Sequence, residues 1–370
     1  MVSGTGSTDN ASFTITGNSL KLAIVPDFET KTSYSVLVRS TDASGLSFEK
    51  QFAISITNVN EAPTNIALSN SSLAENNAVG TAIGTLSTTD VDAGDTFTYT
   101  LVSGTGSTDN ASFTIAGNSL KLAIVPDFET KTSYSVLVRS TDAAGLSFEK
   151  QFTIAITNVN EVPTDIALSN ASIAENSASG TAIGTLSTTD VDAGDTFTYT
   201  LVSGTGSTDN ASFTITGSSL KLAIVPDFET KTSYSVLVRS TDASGLSFDK
   251  QFAISITNVN EAPTIIPVPS VTYTNTNAID TFQNNTGTVI ATDVDLNTTL
   301  VYGIAGQNVS LGNGQATKVT PFGSLTLDTA TGAYTFTPNQ VAINGLSGNT
   351  AEIFNLTVSD GQITTRATLP

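Results

Sequence analysis

The sequence contains no cysteine, no histidine and no tryptophan. Without cysteine there are no disulfides, so any stapling must come from packing or from hard metal ions. The lack of both cysteine and histidine excludes zinc sites of the usual kind, and with them Ser–His and Cys–His catalytic pairs. Basic residues are scarce, with 14 Lys and Arg against 33 Asp and Glu, a formal net charge of −19 and a pI of about 4.1. Nucleic acid and anionic lipid would be repelled, and cations are the natural counterpart. No apolar run approaches the length of a membrane helix, so no membrane-spanning segment is expected in this fragment. A helical period with caps is sustained nowhere. Gly-Gly-x-Gly-x-Asp nonapeptides are also missing, so no type I secretion tail is visible.

What is present is repetition. The stretch Asn158-Val159-Asn160-Glu161-Val162-Pro163-Thr164 recurs at 58–64 and 258–264, with Ala62 and Ala262 in place of Val162. A short polar segment ending in Pro, with strand-like sequence on both sides, reads as a linker between stacked domains. Residues 1–62, 101–162 and 201–262 are nearly the same sequence, and 63–100 matches 163–200. The period of 100 residues is long enough for a self-sufficient domain rather than a solenoid unit. The expected division is a truncated repeat at 1–62, complete repeats at 63–162 and 163–262, and a divergent repeat at 263–370. Met1-Val2-Ser3-Gly4 aligns with Leu101-Val102-Ser103-Gly104, so the chain is expected to begin partway through a repeat.

Within a repeat, apolar residues alternate with polar ones in short runs. Ile66 and Leu68 are followed by Ile83 and Leu86, and then by Phe97, Tyr99 and Leu101. Phe113 and Ile115, Leu120 and Leu122, Tyr134, Val136 and Val138, and Phe152, Ile154 and Ile156 complete the set. Successive strand residues face opposite sides, so each set can point into one core. Seven such strands, punctuated by Gly104, Gly106, Gly117 and Gly145, predict an all-β chain of tandem seven-stranded Greek-key immunoglobulin-like β-sandwiches in a linear array.

The acids cluster. Asp90-Val91-Asp92-Ala93-Gly94-Asp95 and Asp127-Phe128-Glu129 each place two carboxylates at i and i+2, which face the same way in extended backbone. Asp142 ends a strand and enters a turn, and Glu75 follows the first strand. An EF-hand is excluded, because position 12 from Asp90 is Leu101 and no helices flank the loop. A glycosidase pair at Asp127 and Glu129 would need a cleft, and a small repeated sandwich offers none. The chain is therefore expected not to be an enzyme. Lys131, Lys150 and Arg139 read as surface charges, and the Asn10-Ala11-Ser12 sequon as loop chemistry.

The ordered set Glu75, Phe113-Thr114-Ile115, Gly117, Leu120-Lys121-Leu122, Asp127-Phe128-Glu129, Asp142 and Asn158-Val159-Asn160-Glu161-Val162-Pro163 resembles a cadherin repeat. Ala291-Thr292-Asp293-Val294-Asp295 and Thr357-Val358-Ser359-Asp360-Gly361 make 263–370 similar to bacterial surface repeats of the cadherin-like or VCBS kind. The resemblance implies calcium ions at the inter-domain joints, with ligands from both neighbours. At the first joint these would be Asp27, Glu29, Asn58, Asn60, Glu61, Asp90, Asp92 and Asp142. The second would use Glu75, Asp127, Glu129, Asn158, Asn160, Glu161, Asp190, Asp192 and Asp242. The third would use Glu175, Asp227, Glu229, Asn258, Asn260, Glu261, Asp293, Asp295 and Asp360. The joints would then hold most of the 33 acidic residues, a crowding that a divalent ion with six to eight oxygen ligands relieves. The linker departs from the cadherin pattern: Asn158 and Glu161 stand where Asp is usual, and one residue is missing before the Pro.

The implied protein is a segment of a longer chain, a bacterial surface or secreted adhesin in which calcium stiffens a stalk or spacer for cell adhesion. Direct binding to like modules or to a surface carbohydrate is the alternative, as is a non-catalytic arm of a secreted hydrolase.

Overall fold

The computed structural model describes every residue except Asn277, Asn308 and Leu311, with the backbone alone at Val309 and Ser310. It falls into two compact units, Met1–Glu161 and Val162–Pro370, each taken by itself below.

The first unit opens with two hairpins. Strands β1 (Phe13–Thr16) and β2 (Ser19–Leu22) pair antiparallel, as do β3 (Ser33–Thr41) and β4 (Ser47–Ser55). Phe13, Tyr34 and Val36 form their small core, with the Phe13 ring edge-on to Tyr34 at 5.7 Å.

The next copy adds the strands that complete a sandwich. These are β5 (Asn65–Leu68), β6 (Ser72–Ala74), β7 (Ala82–Thr89), β8 (Thr98–Leu101), β9 (Phe113–Ala116), β10 (Ser119–Leu122), β11 (Ser133–Thr141) and β12 (Ser147–Thr157). One sheet runs β5-β7-β10-β9 and the other β6-β12-β11-β8, the Greek-key order expected of the alternation. The strand count rises from seven to eight because the first strand breaks at Ser69-Asn70-Ser71. Its first half pairs antiparallel with β7, and its second half crosses over to run parallel to β12. Gly84 permits the crossing: a Cβ there would lie 2.7 Å from the Asn70 carbonyl oxygen.

Between the sheets Ile66, Ile83, Leu86, Phe113, Leu120, Leu122, Val136, Val138, Ile154 and Ile156 are buried, with Leu68, Tyr99, Leu101, Ile115 and Phe152 packed against them. Leu122 is 1% exposed, whereas its counterpart Leu22 is 47% exposed. The strands that cover Leu122, β5 and β7 among them, have no counterpart within 1–62.

The recurring basic residues are more engaged than free surface charges would be. Lys131 pairs with Asp109 at 2.5 Å and lies over the Tyr134 ring. Lys150 donates to Asn65 Oδ1 and to the Ile66 carbonyl, and Arg139 pairs with Glu149. Asn110, the counterpart of Asn10 in the next repeat, opens a 3-10 turn and ties it inward, donating to the Val102 carbonyl and accepting from the Leu137 N–H.

The second unit repeats this sandwich with core residues Ile166, Leu186, Leu220, Leu222, Val236 and Ile254. Residues 264–369 then build a different sandwich. A five-stranded sheet is ordered Asn285–Thr288, Ala333–Pro338, Gly323–Asp328, Gln315–Thr320, Val309–Ser310. It faces a three-stranded sheet of Val301–Ile304, Phe354–Ser359 and Thr364–Leu369 across Leu325, Leu327, Leu356 and Val358. A one-and-a-half-turn helix, Gln340–Asn344, is capped by the Asn339 side chain. No helix among the described residues is long and apolar enough to cross a membrane.

Candidate metal centre

The acidic motifs sit at the ends of the sandwiches, just past the strands. Asp90 follows the last residue of β7, and the Asp92 N–H donates to Asp90 Oδ1 at 3.2 Å, closing a bend. Extended backbone would have aimed both carboxylates at one point; the bend sends them to neighbouring places instead. One oxygen each of Glu29, Glu61 and Asp92 lies within 4.8 Å of the others, and the same holds for Asp90, Asp95 and Asp142.

The linker knits the two groups together. Asn58 Nδ2 and the Glu61 N–H donate to the two oxygens of Asp92, both at 2.8 Å. Asn60 Nδ2 donates to Asp142 Oδ2 at 2.8 Å, while the Gly145 and Leu146 N–H groups occupy Asp142 Oδ1. Asp142 consequently lies below the ordinary carboxylate range, chiefly through the Asn60 hydrogen bond. Asp27 binds the Thr30 N–H and hydroxyl, which hold its pKa down. Its field reaches Glu61, whose pKa is pushed up by burial, then by Asp92, Glu29, Asp27 and Asp90.

Asp127 and Glu129 meet by a route the sequence did not suggest. The segment is a turn, not a strand, closed by Thr130 bonding to Asp127. It brings one oxygen each of Asp127, Glu129 and Glu75 within 4.8 Å. Glu75, 3% exposed, accepts the Phe128 N–H at 2.7 Å and the Val159 N–H at 2.8 Å. Glu161 accepts from Asn76 Nδ2 at 2.6 Å, and Asn160 donates to the Glu161 carbonyl, while Asn158 follows the end of β12.

In the second unit, Asp192 donates its N–H to Asp190 Oδ1, and Asp242, 5% exposed, accepts from the Ser244 and Leu246 N–H groups. Glu175, Asp227 and Glu229 form the same cluster as Glu75, Asp127 and Glu129. Asn260 Nδ2 donates to Asp360 Oδ2 at 2.7 Å, and the Glu261 N–H to Asp295 Oδ2 at 2.8 Å. Asp295 in turn donates to Asp293 Oδ1. Asn258 follows the strand Ser247–Thr257, and among the described residues its side chain does not reach Asp295 as Asn58 reaches Asp92.

One residue of these clusters, Asp95, was not singled out by the i, i+2 rule. The signal was present as the third acid of Asp-Val-Asp-Ala-Gly-Asp. Gly94, at φ 99°, turns the chain back so that Asp95 faces Asp90.

No protein-family model matches the chain. Over 261 residues, 66% of its length, it is 30% identical to Protocadherin-16 of Rattus norvegicus, of which it spans 8%. It is 28% identical over 246 residues to human Protocadherin Fat 4, spanning 5% of that protein. Among solved structures, the Protocadherin gammaB7 EC3-6 cis-dimer structure matches with a TM-score of 0.62, covering 98% of this chain and 90% of that one at 19% identity. The repeats are cadherin-like.

In these cadherin-like sandwiches the clustered acids leave oxygens without donors. Asp90 Oδ2, Asp95 Oδ2, Asp190 Oδ2, Asp195 Oδ2, Glu229 Oε1, Glu261 Oε2 and Asp293 Oδ2 are buried, and no hydrogen bond reaches them among the described residues. Burial, then neighbouring acids, push Asp95 and Asp195 up. Burial also leads in raising Glu229 and Glu261. A carboxylate oxygen shielded from water and left without a donor is destabilised until a proton or a cation serves it. Several such oxygens converging, all hard donors, with no basic side chain paired to them among the described residues, are the donor set that suits calcium.

Proposed function

We propose that the chain is a non-catalytic, calcium-binding repeat segment of an extracellular adhesion protein, divided at 1–62, 63–162, 163–262 and 263–370. The observation that carries this reading is the set of buried, donor-less carboxylate oxygens at the linkers. Bound there, calcium supplies positive charge that offsets the mutual repulsion of the acids. The protein's own residues do the rest. Asp92 and Asp142 hold the linker through Asn58, Asn60 and the Glu61 N–H, and Glu75 ties the end of β6 to the turn at Phe128 and to Val159. The 58–64 joint is thereby prepared, and filling it stiffens the linker.

The proposed setting is a bacterial surface, where the array acts as a stalk or spacer. Near-identical repeats favour that role, because setting length needs no unique face. Pairing with like modules is the second reading, favoured by the cis-dimer of the similar protocadherin structure. Sedimentation velocity in calcium separates the two: a spacer stays monomeric at micromolar concentration, whereas a self-pairing module shows reversible dimers that EGTA abolishes.

A further inference from the structure

Two linkers, 58–64 and 258–264, each lie inside one compact unit, and the sockets around them differ. In the first, Asp95 adds a carboxylate beside Asp90 and Asp142, its Oδ2 buried without a donor. Asp293-Val294-Asp295-Leu296-Asn297-Thr298 is the matching run in the last sandwich, where Asn297, at φ 64°, makes the left-handed turn that Gly94 makes. Thr298 therefore stands in the place of Asp95. It is neutral, and its hydroxyl is turned back onto the Asp295 carbonyl at 3.0 Å.

A second difference lies across the socket. Asp360 takes the place of Asp142, but its turn carries Gln362, whose Nε2 donates to Asn260 Oδ1 at 2.9 Å. Asn60 Oδ1, the corresponding atom, accepts no hydrogen bond among the described residues. One socket thus keeps a carboxylate and an open amide oxygen; the other has neither. Asp293 Oδ2 remains buried without a donor, so the second socket still fits a cation.

We propose that Thr298 and Gln362 make the 258–264 joint calcium-labile, holding its affinity below what its remaining ligands allow. Calcium affinity follows the charge count and rigidity of the oxygen set, and each residue subtracts from it. The joint would then loosen on falling calcium while the carboxylate-rich 58–64 joint stays filled, freeing the last sandwich to reorient. This inference rests on the reading of the joints as calcium sites.

The test is limited proteolysis of the full chain across a calcium titration, with cleavage within 258–264 mapped by mass spectrometry. Thr298→Asp should lower the calcium concentration for half-protection roughly tenfold, and Gln362→Ala several-fold. Asp95→Thr should raise the concentration needed to protect 58–64. Melting in EGTA checks that each variant folds, and Gln362→Ala, a surface truncation, serves if Thr298→Asp does not. If calcium protects the wild-type linker but Thr298→Asp and Gln362→Ala leave the midpoint unmoved, this inference is wrong and the calcium sites stand. If calcium protects no linker at all, both readings fall.

Discussion

Each oxygen of the Glu175 carboxylate accepts one backbone N–H, from Phe228 and from Val259, both at 2.8 Å. The Glu175 side chain is itself 3% exposed. Glu175→Gln retains one acceptor oxygen and sets a buried amide NH2 against the other N–H, at a cost of about 1–3 kcal/mol. Urea unfolding in EGTA reads this loss apart from any ion, and an unchanged midpoint would show that the pairing contributes nothing. Asp109 is a second structural acid. Burial would raise its pKa, but the hydrogen bonds from Lys131 and the Ser135 N–H win and hold it below the usual range. A folded-state pKa below the unfolded value near 3.8 means its stabilisation is present above that pH and lost as pH falls through the folded value. Replacing Asp9, Asp109 and Asp209 together by Asn should flatten the acid limb of the stability–pH curve. A limb as steep as that of the wild type would assign acid unfolding to other groups.

The element that organises each complete sandwich is the first strand, which changes sheets above Gly84. Gly84→Ala forces a methyl group into the Asn70 backbone and should destabilise the fold by about 1–3 kcal/mol, measured by thermal melting. Gly80→Ala, in open space but at φ 88°, separates backbone strain from this clash. The crossing itself could not be read from the sequence. Ser72-Leu73-Ala74 is too short to show alternation, and its partner β12 lies some 80 residues downstream. The longer strands were legible because Phe113, Ile115, Leu120, Leu122, Val136 and Ile154 repeat with period two and all meet the core. The acidic motifs were legible as residues but not as directions. They lie in bends and turns, where period two no longer applies, so Asp90 and Asp92 part company and Asp95 joins them unforeseen. The helix Gln340–Asn344 is too short for any helical period to register.

At the scale of the molecule, 33 acids against 14 basic residues would repel one another wherever they crowd, and they crowd at the linkers. Salt offers a control. Screening by about 0.5 M sodium chloride shortens the range of repulsion to a few ångströms, yet leaves buried, donor-less oxygens unserved. Salt alone should therefore recover only part of the stability that calcium provides; full recovery would mean diffuse screening rather than sites. The most direct test is calorimetric melting of the chain in calcium against EGTA at matched ionic strength. An ion that binds only the folded state adds about 2.7 kcal/mol at a hundredfold excess over Kd. The account predicts a melting temperature that climbs steadily with calcium concentration. Superimposable melts in calcium and EGTA would contradict it, leaving the sandwiches in place and the acids as solvated turns.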